Sequence, residues 1–217
     1  MIDVSVIFGG QSSEHNISCL SAASVLAALD RAKYRVSAIG ITRDGQWYRV
    51  SDDPADWARD GDRLPEVLPV GEPIALTDID GDVVFPVLHG PFGEDGTMQG
   101  ALELLGLPYV GSGVLASALT MDKAATKLML TAAGLPVGKC VAVNDADWVS
   151  HPEIALEQVP ELTLPVPVKP ARAGSSVGIT KVKSFDQLAT AIDVAREQDR
   201  KVVIEESVEQ ARESECG

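Results

Sequence analysis

An apolar run from Leu164 to Val168 delivers Lys169, which opens the stretch Lys169-Pro-Ala-Arg-Ala-Gly-Ser-Ser-Val-Gly178. A fixed cation followed by small residues suits phosphate binding. The ammonium supplies charge, and the backbone N–H groups from Gly174 to Gly178 can approach an anion with little side chain in the way. The order excludes a Walker A loop, in which the lysine follows the glycines. Ser175 and Ser176 add hydroxyls and amides, and Arg172 adds a second cation. Lys123 is a further candidate. It opens a predicted helix, where its charge is mildly unfavourable against the helix dipole. Simple solvation accounts for Lys123 equally well; Lys169 differs because it ends an apolar strand and can pair with a polyphosphate.

A second group of residues surrounds Gly9-Gly10-Gln11-Ser12-Ser13-Glu14-His15. Two glycines after an apolar strand permit a tight turn and close approach of a ligand to the backbone. Ser12 and Ser13 are helix-capping types, with Glu14 expected in the first helical turn, where it could serve chemistry or merely complement the dipole. The third stretch is His89-Gly-Pro-Phe-Gly-Glu-Asp-Gly-Thr-Met-Gln-Gly100. His89 follows an apolar strand at its C-terminal end, where open α/β sheets bind ligands. One histidine with the adjacent acids Glu94 and Asp95 makes no established metal spacing, and those two carboxylates suit a loop bonded to its own backbone. Gly111-Ser-Gly113-Val-Leu-Ala116 fits the dinucleotide fingerprint, but it comes late in its domain with no acidic residue at the required distance, so a NAD site is not expected.

These groups need elements to hold them. Val4–Phe8, Val36–Ile41 and Val83–Leu88 read as strands, and Glu14–Leu29 and Met98–Leu105 as helices, the second stopped by Gly106. Residues 44–82 are rich in Asp, Pro and Gly and read as a short strand, a short helix and loops. The alternation predicts a parallel sheet covered on both faces. Beyond residue 115, Thr120 or Asp122 can cap a helix ending near Ala133, with Gly134 as its stop. Strands are expected at Val137–Val143, Val166–Lys169, Ile179–Val182 and Val202–Glu206, with a helix within Asp145–Gln158. Ser184-Phe-Asp-Gln187 has the spacing of a capping box.

The 217 residues suffice for one or two domains, and with 45% hydrophobic and 23% charged residues a packed core is expected. The net charge of −14 opposes non-specific nucleic-acid binding, and the excess of acid is concentrated in residues 1–118. No apolar run approaches the length of a membrane span, and no secretory leader is recognised. Cys19, Cys140 and Cys216 lie far apart, as expected of reduced thiols in the cytoplasm.

Together the three stretches make the chain resemble the D-alanine–D-alanine ligases of the ATP-grasp superfamily. The resemblance implies an N-terminal parallel-sheet α/β domain over residues 1–115 and an α+β central ATP-grasp subdomain over 116–208. Residues 209–217 would begin a further domain, the chain stopping short of the family's length. The implied reaction joins two D-alanines with ATP, through D-alanyl phosphate, to make a peptidoglycan precursor. Glu14 would hold the ammonium of the first D-alanine, with His89 beside it. Ser175 would hydrogen-bond Glu14 and a tyrosine of a later loop. Lys123 and Lys169 would contact phosphates, and Ser176 would offer a backbone N–H. Glu205 and the backbone of Glu206 to Val208 would border the adenine. Glu213 would take the ribose, given one extra residue in the preceding loop. Magnesium or manganese is implied too, with its ligands beyond Gly217, so the 217-residue chain alone is expected not to turn over. A cytoplasmic homodimer formed through the first domain is also implied. A D-alanine–D-lactate or D-alanine–D-serine ligase, or a non-catalytic module holding a nucleotide or amino acid, are the alternatives.

Overall fold

The computed structural model describes residues 1–174, 176–208, 211 and 212. The chain divides into two compact units, Met1–Leu119 and Thr120–Gly217.

The first unit is built on five strands in the order β4-β3-β2-β1-β5. These are β1 (Ile2–Gly9), β2 (Tyr34–Ile41), β3 (Trp47–Val50), β4 (Glu72–Pro73) and β5 (Val83–Pro86). β1 lies between β2 and β5 and runs parallel to both, Val6 opposite Ala38 and Phe85. The sheet is mixed rather than wholly parallel, because β3 and β4 add to it antiparallel. The cause is local. Only a tight turn separates β2 from β3, with Gly45 at φ +87° and Thr42 N–H donating to Gln46 O at 2.9 Å. A connection that short can join only antiparallel strands.

Alternation along β1 gives the sheet two buried faces. Val4, Val6 and Phe8 pack with Cys19, Ala22 and Leu26 of α1 (His15–Ala28). Ile7 packs on the other face with Ile39, Val84, and Met98 and Leu102 of α2 (Thr97–Leu104). Phe8 meets Trp57 edge to face, ring centroids 4.6 Å apart, a geometry that adds to the burial of both rings. Val114–Met121 forms a third helix, α3, where the sequence reading expects only a change of pattern.

The second unit carries a four-stranded antiparallel sheet in the order β6-β9-β7-β8. Its strands are β6 (Cys140–Asn144), β7 (Val166–Pro170), β8 (Thr180–Val182) and β9 (Lys201–Glu205). Val166 and Val168 of β7, with Val202 and Ile204 of β9, face Leu188, Ala191, Ile192 and Ala195 of α7 (Leu188–Arg196). Val203 points the other way, into a cluster with Ala171 and Ala124 of α4 (Lys123–Ala132). Asp122 caps α4, its Oδ1 accepting the N–H groups of Ala124 and Ala125 at 3.0 Å each. Between β6 and β7 the expected single helix is two, α5 (Asp145–Ser150) and α6 (Pro152–Gln158), broken at His151. Pro152 is the reason: it disfavours helical backbone in the residue before it. The capping box at Ser184 does not form. Ser184 Oγ donates instead to Asp186, and a 3₁₀ turn over Phe185–Gln187 leads into α7. Among the described residues, no helix is long and apolar enough to cross a membrane.

Candidate functional site

In the first unit the C-terminal ends of β1, β2 and β5 converge, and the side chains of α1 tie them together. Gly10 N–H donates to Ile41 O at 2.8 Å. Ser18 Oγ accepts from Gly9 N at 2.8 Å and donates to Val87 O at 2.6 Å, in a buried position. Gly9 has φ +88°, and a Cβ there would lie 2.3 Å from Ile41 O. Only glycine fits that turn.

His15 is wholly buried beside it. Val67 N–H donates to His15 Nε2 at 3.0 Å, so Nδ1 carries the proton and donates to Gly10 O at 2.7 Å. Burial holds the imidazole below its ordinary value, with the Gly10 hydrogen bond working against that shift. It is therefore a neutral pin between the Gly9–Gly10 turn and the segment carrying Val67.

Glu14 is the residue preceding α1, not part of its first turn, which contains no acid. Its N–H donates to Ser12 Oγ at 3.1 Å, and Ser12 Oγ donates to His89 O at 2.7 Å. The Glu14 carboxylate lies over Gly90, where a Cβ would be 2.9 Å from Oε2. Ser21 Oγ and His89 Nε2 are 2.9 Å apart. Glu14 and His89, distant in sequence, thus share one neighbourhood. His89 also lines a cavity of about 210 Å³ with Gly10, Gln11, Thr97 and the apolar side chains of Trp47 and Met98. Glu94 and Asp95 do hold their own loop: Gly90 N donates to Glu94 Oε2 at 2.7 Å, and Phe92 N and Thr97 N donate to Asp95.

In the second unit, strand parity assembles the other group. Lys169 opposes Val203 across β7 and β9, and Glu205 lies two residues further along β9, so all three face α4. Lys169 Nζ donates to Glu205 Oε1, and Lys127 Nζ lies 3.1 Å from Glu205 Oε2. Lys123 Nζ donates to Ala173 O at 2.7 Å and contacts Ala171 O at 3.3 Å, at the root of the Gly/Ser loop. Burial, then the adjacent Lys169 charge, holds the Lys123 ammonium below the ordinary lysine value, partly offset by Asp199, Glu205 and Asp122. Burial alone would raise the Glu205 carboxyl. The hydrogen bond and charge of Lys169, then those of Lys127, outweigh it and hold Glu205 below the usual carboxylate range.

Lys123, Lys127 and Lys169 thus gather around one carboxylate. The local excess of positive charge, at the root of the Gly/Ser loop, suits a polyphosphate. Arg172, the other candidate cation, is bound to Asp199 through its backbone N–H and its guanidinium. Ser176 is exposed, with φ +58°. Glu206 Oε1 accepts Thr163 N at 3.0 Å, its own N–H donates to Lys139 O at 2.9 Å, and Val208 is exposed. Ser175 and Glu213 lie outside the described residues. Among the described residues, no three His, Cys, Asp or Glu side chains come together as a metal site; the donors present do not fit magnesium or manganese.

Sequence reading passed over Lys127, His15, Ser18 and Ser21. Lys127 carried a usable signal, since it stands four residues after Lys123 on one helix face. The two serines had only a weak one, as polar residues among the apolar ones of α1.

The fold is that of an α/β protein, with polar residues gathered at the C-terminal strand ends of one unit and a cluster of lysines around Glu205 on the other. A family model described as the D-ala D-ala ligase N-terminus matches residues 3–112, and one described as the D-ala D-ala ligase C-terminus matches 129–217. The chain belongs to the D-alanine–D-alanine ligase family. It is 50% identical over 232 residues to the D-alanine–D-alanine ligase of Arthrobacter sp. (strain FB24), covering 98% of this chain and 60% of that protein. Identity to the D-alanine–D-alanine ligase of Rhodococcus erythropolis is 51% over 237 residues, covering 99% and 62%. The chain thus spans about 60% of the length of these curated relatives. Among solved structures it is similar to the VanG D-Ala:D-Ser ligase of Enterococcus faecalis, with a TM-score of 0.79 and 38% identity, covering 95% of this chain and 63% of that one. The D-alanine–D-alanine ligase of Coxiella burnetii gives 0.77 and 33%, covering 96% and 64%.

Proposed function

We propose that the protein takes part in ATP-dependent ligation of two D-alanines in the cytoplasm, and that these residues supply part of the two substrate sites. The observation that carries the reading is the gathering of Lys123, Lys127 and Lys169 around Glu205, at the root of the Gly/Ser loop. In this reading Lys123 and Lys169 neutralise the triphosphate, and the loop amides, that of Ser176 included, cover it and keep water out. Glu205 and the backbone from Glu206 to Val208 border the base. In the first unit Glu14 takes the ammonium of the first D-alanine, and His89, oriented by Ser21, stands beside it. Ser175 and Glu213 keep the roles that the resemblance implies. No step is assigned to a metal ion. Where relatives carry further length, the remainder of the reaction is assigned to that length. A homodimer formed through the first unit goes with this reading, and the exposed Leu104 and Leu115 supply apolar surface for it.

Calorimetry with ATP tests the nucleotide half. The 217-residue chain is expected to bind ATP, and Lys169→Met to weaken binding by about ten-fold or more, as loss of a charged hydrogen-bond donor does. Failure to bind, or indifference to that substitution, refutes the reading. Product analysis tests the reaction in a protein carrying the full length of its relatives, with D-alanine, D-lactate and D-serine offered separately. The D-serine arm answers to the likeness to VanG.

A further inference from the structure

Lys127 belongs to the gathering around Glu205 but, unlike Lys123 and Lys169, has been given no contact with the nucleotide. Its ammonium lies 3.1 Å from Glu205 Oε2 and donates to Gly138 O at 3.3 Å, while the other oxygen of the same carboxylate takes Lys169. The side chains are well covered: exposure is 20% for Lys127, 18% for Lys169 and 15% for Glu205. The three groups form a chain anchored at one end to the backbone of Gly138. A carboxylate bonded to a single lysine would pull that lysine fully onto itself. With two lysines on it, each ammonium feels the repulsion of the other as well as the attraction of the carboxylate, and the contact with Lys127 fixes the carboxylate's position.

We infer that Lys127 is a positioning residue for Lys169, acting through Glu205: it holds the carboxylate back so that the Lys169 ammonium stays available to an incoming phosphate. The inference rests on the nucleotide reading above and extends it to a residue that acts on the ligand through Glu205 and Lys169. Lys127 faces Glu205, Gly138 and the half-buried thiol of Cys140, whose backbone pairs with Glu205 across β6 and β9. It is thus built into the far wall of the cluster, whereas Lys123 stands at the loop.

The test uses the 217-residue chain and two probes, ATP and adenosine, in calorimetry at fixed ionic strength. Adenosine lacks the phosphates that Lys169 would meet. Lys127→Met is expected to weaken ATP binding about ten-fold and adenosine binding, which keeps the base beside Glu205 but not the phosphates, by no more than about three-fold. A purely structural role would weaken both alike. Lys127→Arg keeps the charge and is expected to restore ATP binding to within about three-fold. The double variant Lys127→Met/Glu205→Gln is expected to bind ATP no more weakly than Glu205→Gln alone, because the effect of Lys127 passes through that carboxylate. A further ten-fold loss in the double variant would place Lys127 on the nucleotide itself and overturn the inference. Equal losses for ATP and adenosine, or an ATP affinity that Lys169→Met lowers and Lys127→Met does not, also overturn it and leave the nucleotide reading standing. A wild-type chain that binds no ATP overturns both.

Discussion

Gly9→Ala is the sharpest single perturbation of the first site. Gly9 has φ +88°, and a Cβ there would lie 2.3 Å from Ile41 O, 2.9 Å from Val67 Cγ2 and 3.1 Å from His15 Cε1. Two costs add. The left-handed backbone costs an alanine ~1–2 kcal/mol. The clash is with a backbone carbonyl that already accepts from Gly10 N–H, so it cannot swing away, and forced overpacking of this kind costs ~1–3 kcal/mol. The total is ~2–5 kcal/mol, a large part of the stability of a domain. Gly106→Ala is the control. Gly106 has φ +70° but no atom within 4 Å of an added Cβ among the described residues, so it bears only the first cost. Urea unfolding can be followed by tryptophan fluorescence, since Trp47 and Trp57 both lie in the first unit, Trp57 against Phe8. With m near ~2 kcal/mol per molar, Gly9→Ala should lower the first-unit midpoint by ~1–2.5 M and Gly106→Ala by under ~1 M. Equal shifts for the two would show that the close approach at Ile41 O carries no weight, and would refute the steric argument.

Two further outcomes follow from the hydrogen-bonding groups. His15 is held below its ordinary value of about 6.5 in the folded state, so between the folded and unfolded values the unfolded chain binds the extra proton. Stability of the first unit is therefore complete above about pH 6.5 and falls as pH drops below it, by at most ~1.4 kcal/mol per pH unit; urea midpoints at pH 7.5, 6.5 and 5.5 should show the slope in the wild type and a shallower one in His15→Gln, and identical slopes would dismiss the neutral-pin assignment. Asp122→Ala removes two capping bonds to α4 and the partner of Lys201 Nζ at 2.9 Å, and should cost the second unit ~1–2 kcal/mol by thermal unfolding; Asp122→Asn, which keeps a capping oxygen, should recover about half, and a silent alanine variant would contradict the cap.

Much of this was legible in the sequence because local and tertiary signals agreed. The run Val4–Phe8, the helix after Glu14, and the strand ending at Lys169 each follow one periodicity. What escaped reading was set by contacts between segments. Helix α3 was obscured because Gly111-Ser-Gly113 dominates the local signal, although Val114–Met121 is apolar enough to form a helix. The short strand expected within residues 44–82 is β3, but its antiparallel pairing with β2 is not written in the Asp, Pro and Gly content of that stretch. Glu14 falls just outside α1 because Ser12 Oγ takes the Glu14 N–H, and the helix begins one residue later than its pattern suggests. Glu205 was expected at the base of a nucleotide; that two lysines hold its carboxylate depends on the register of β7 against β9 and on the face of α4, and neither is written in any one segment.

The strand order of the second unit has a bearing on synthesis. β9 is the last of its strands among the described residues, yet it lies between β6 and β7 and pairs with both. As the polypeptide leaves the ribosome, β6 must wait some sixty residues, from Cys140 to Glu205, for its partner. During that interval β6 and one side of β7 present open edges, the kind of surface on which nascent chains associate. A translational pause or a proteolytic cut before Lys201 would leave those edges without the strand that closes them, whereas the first unit is already complete when Leu119 has emerged.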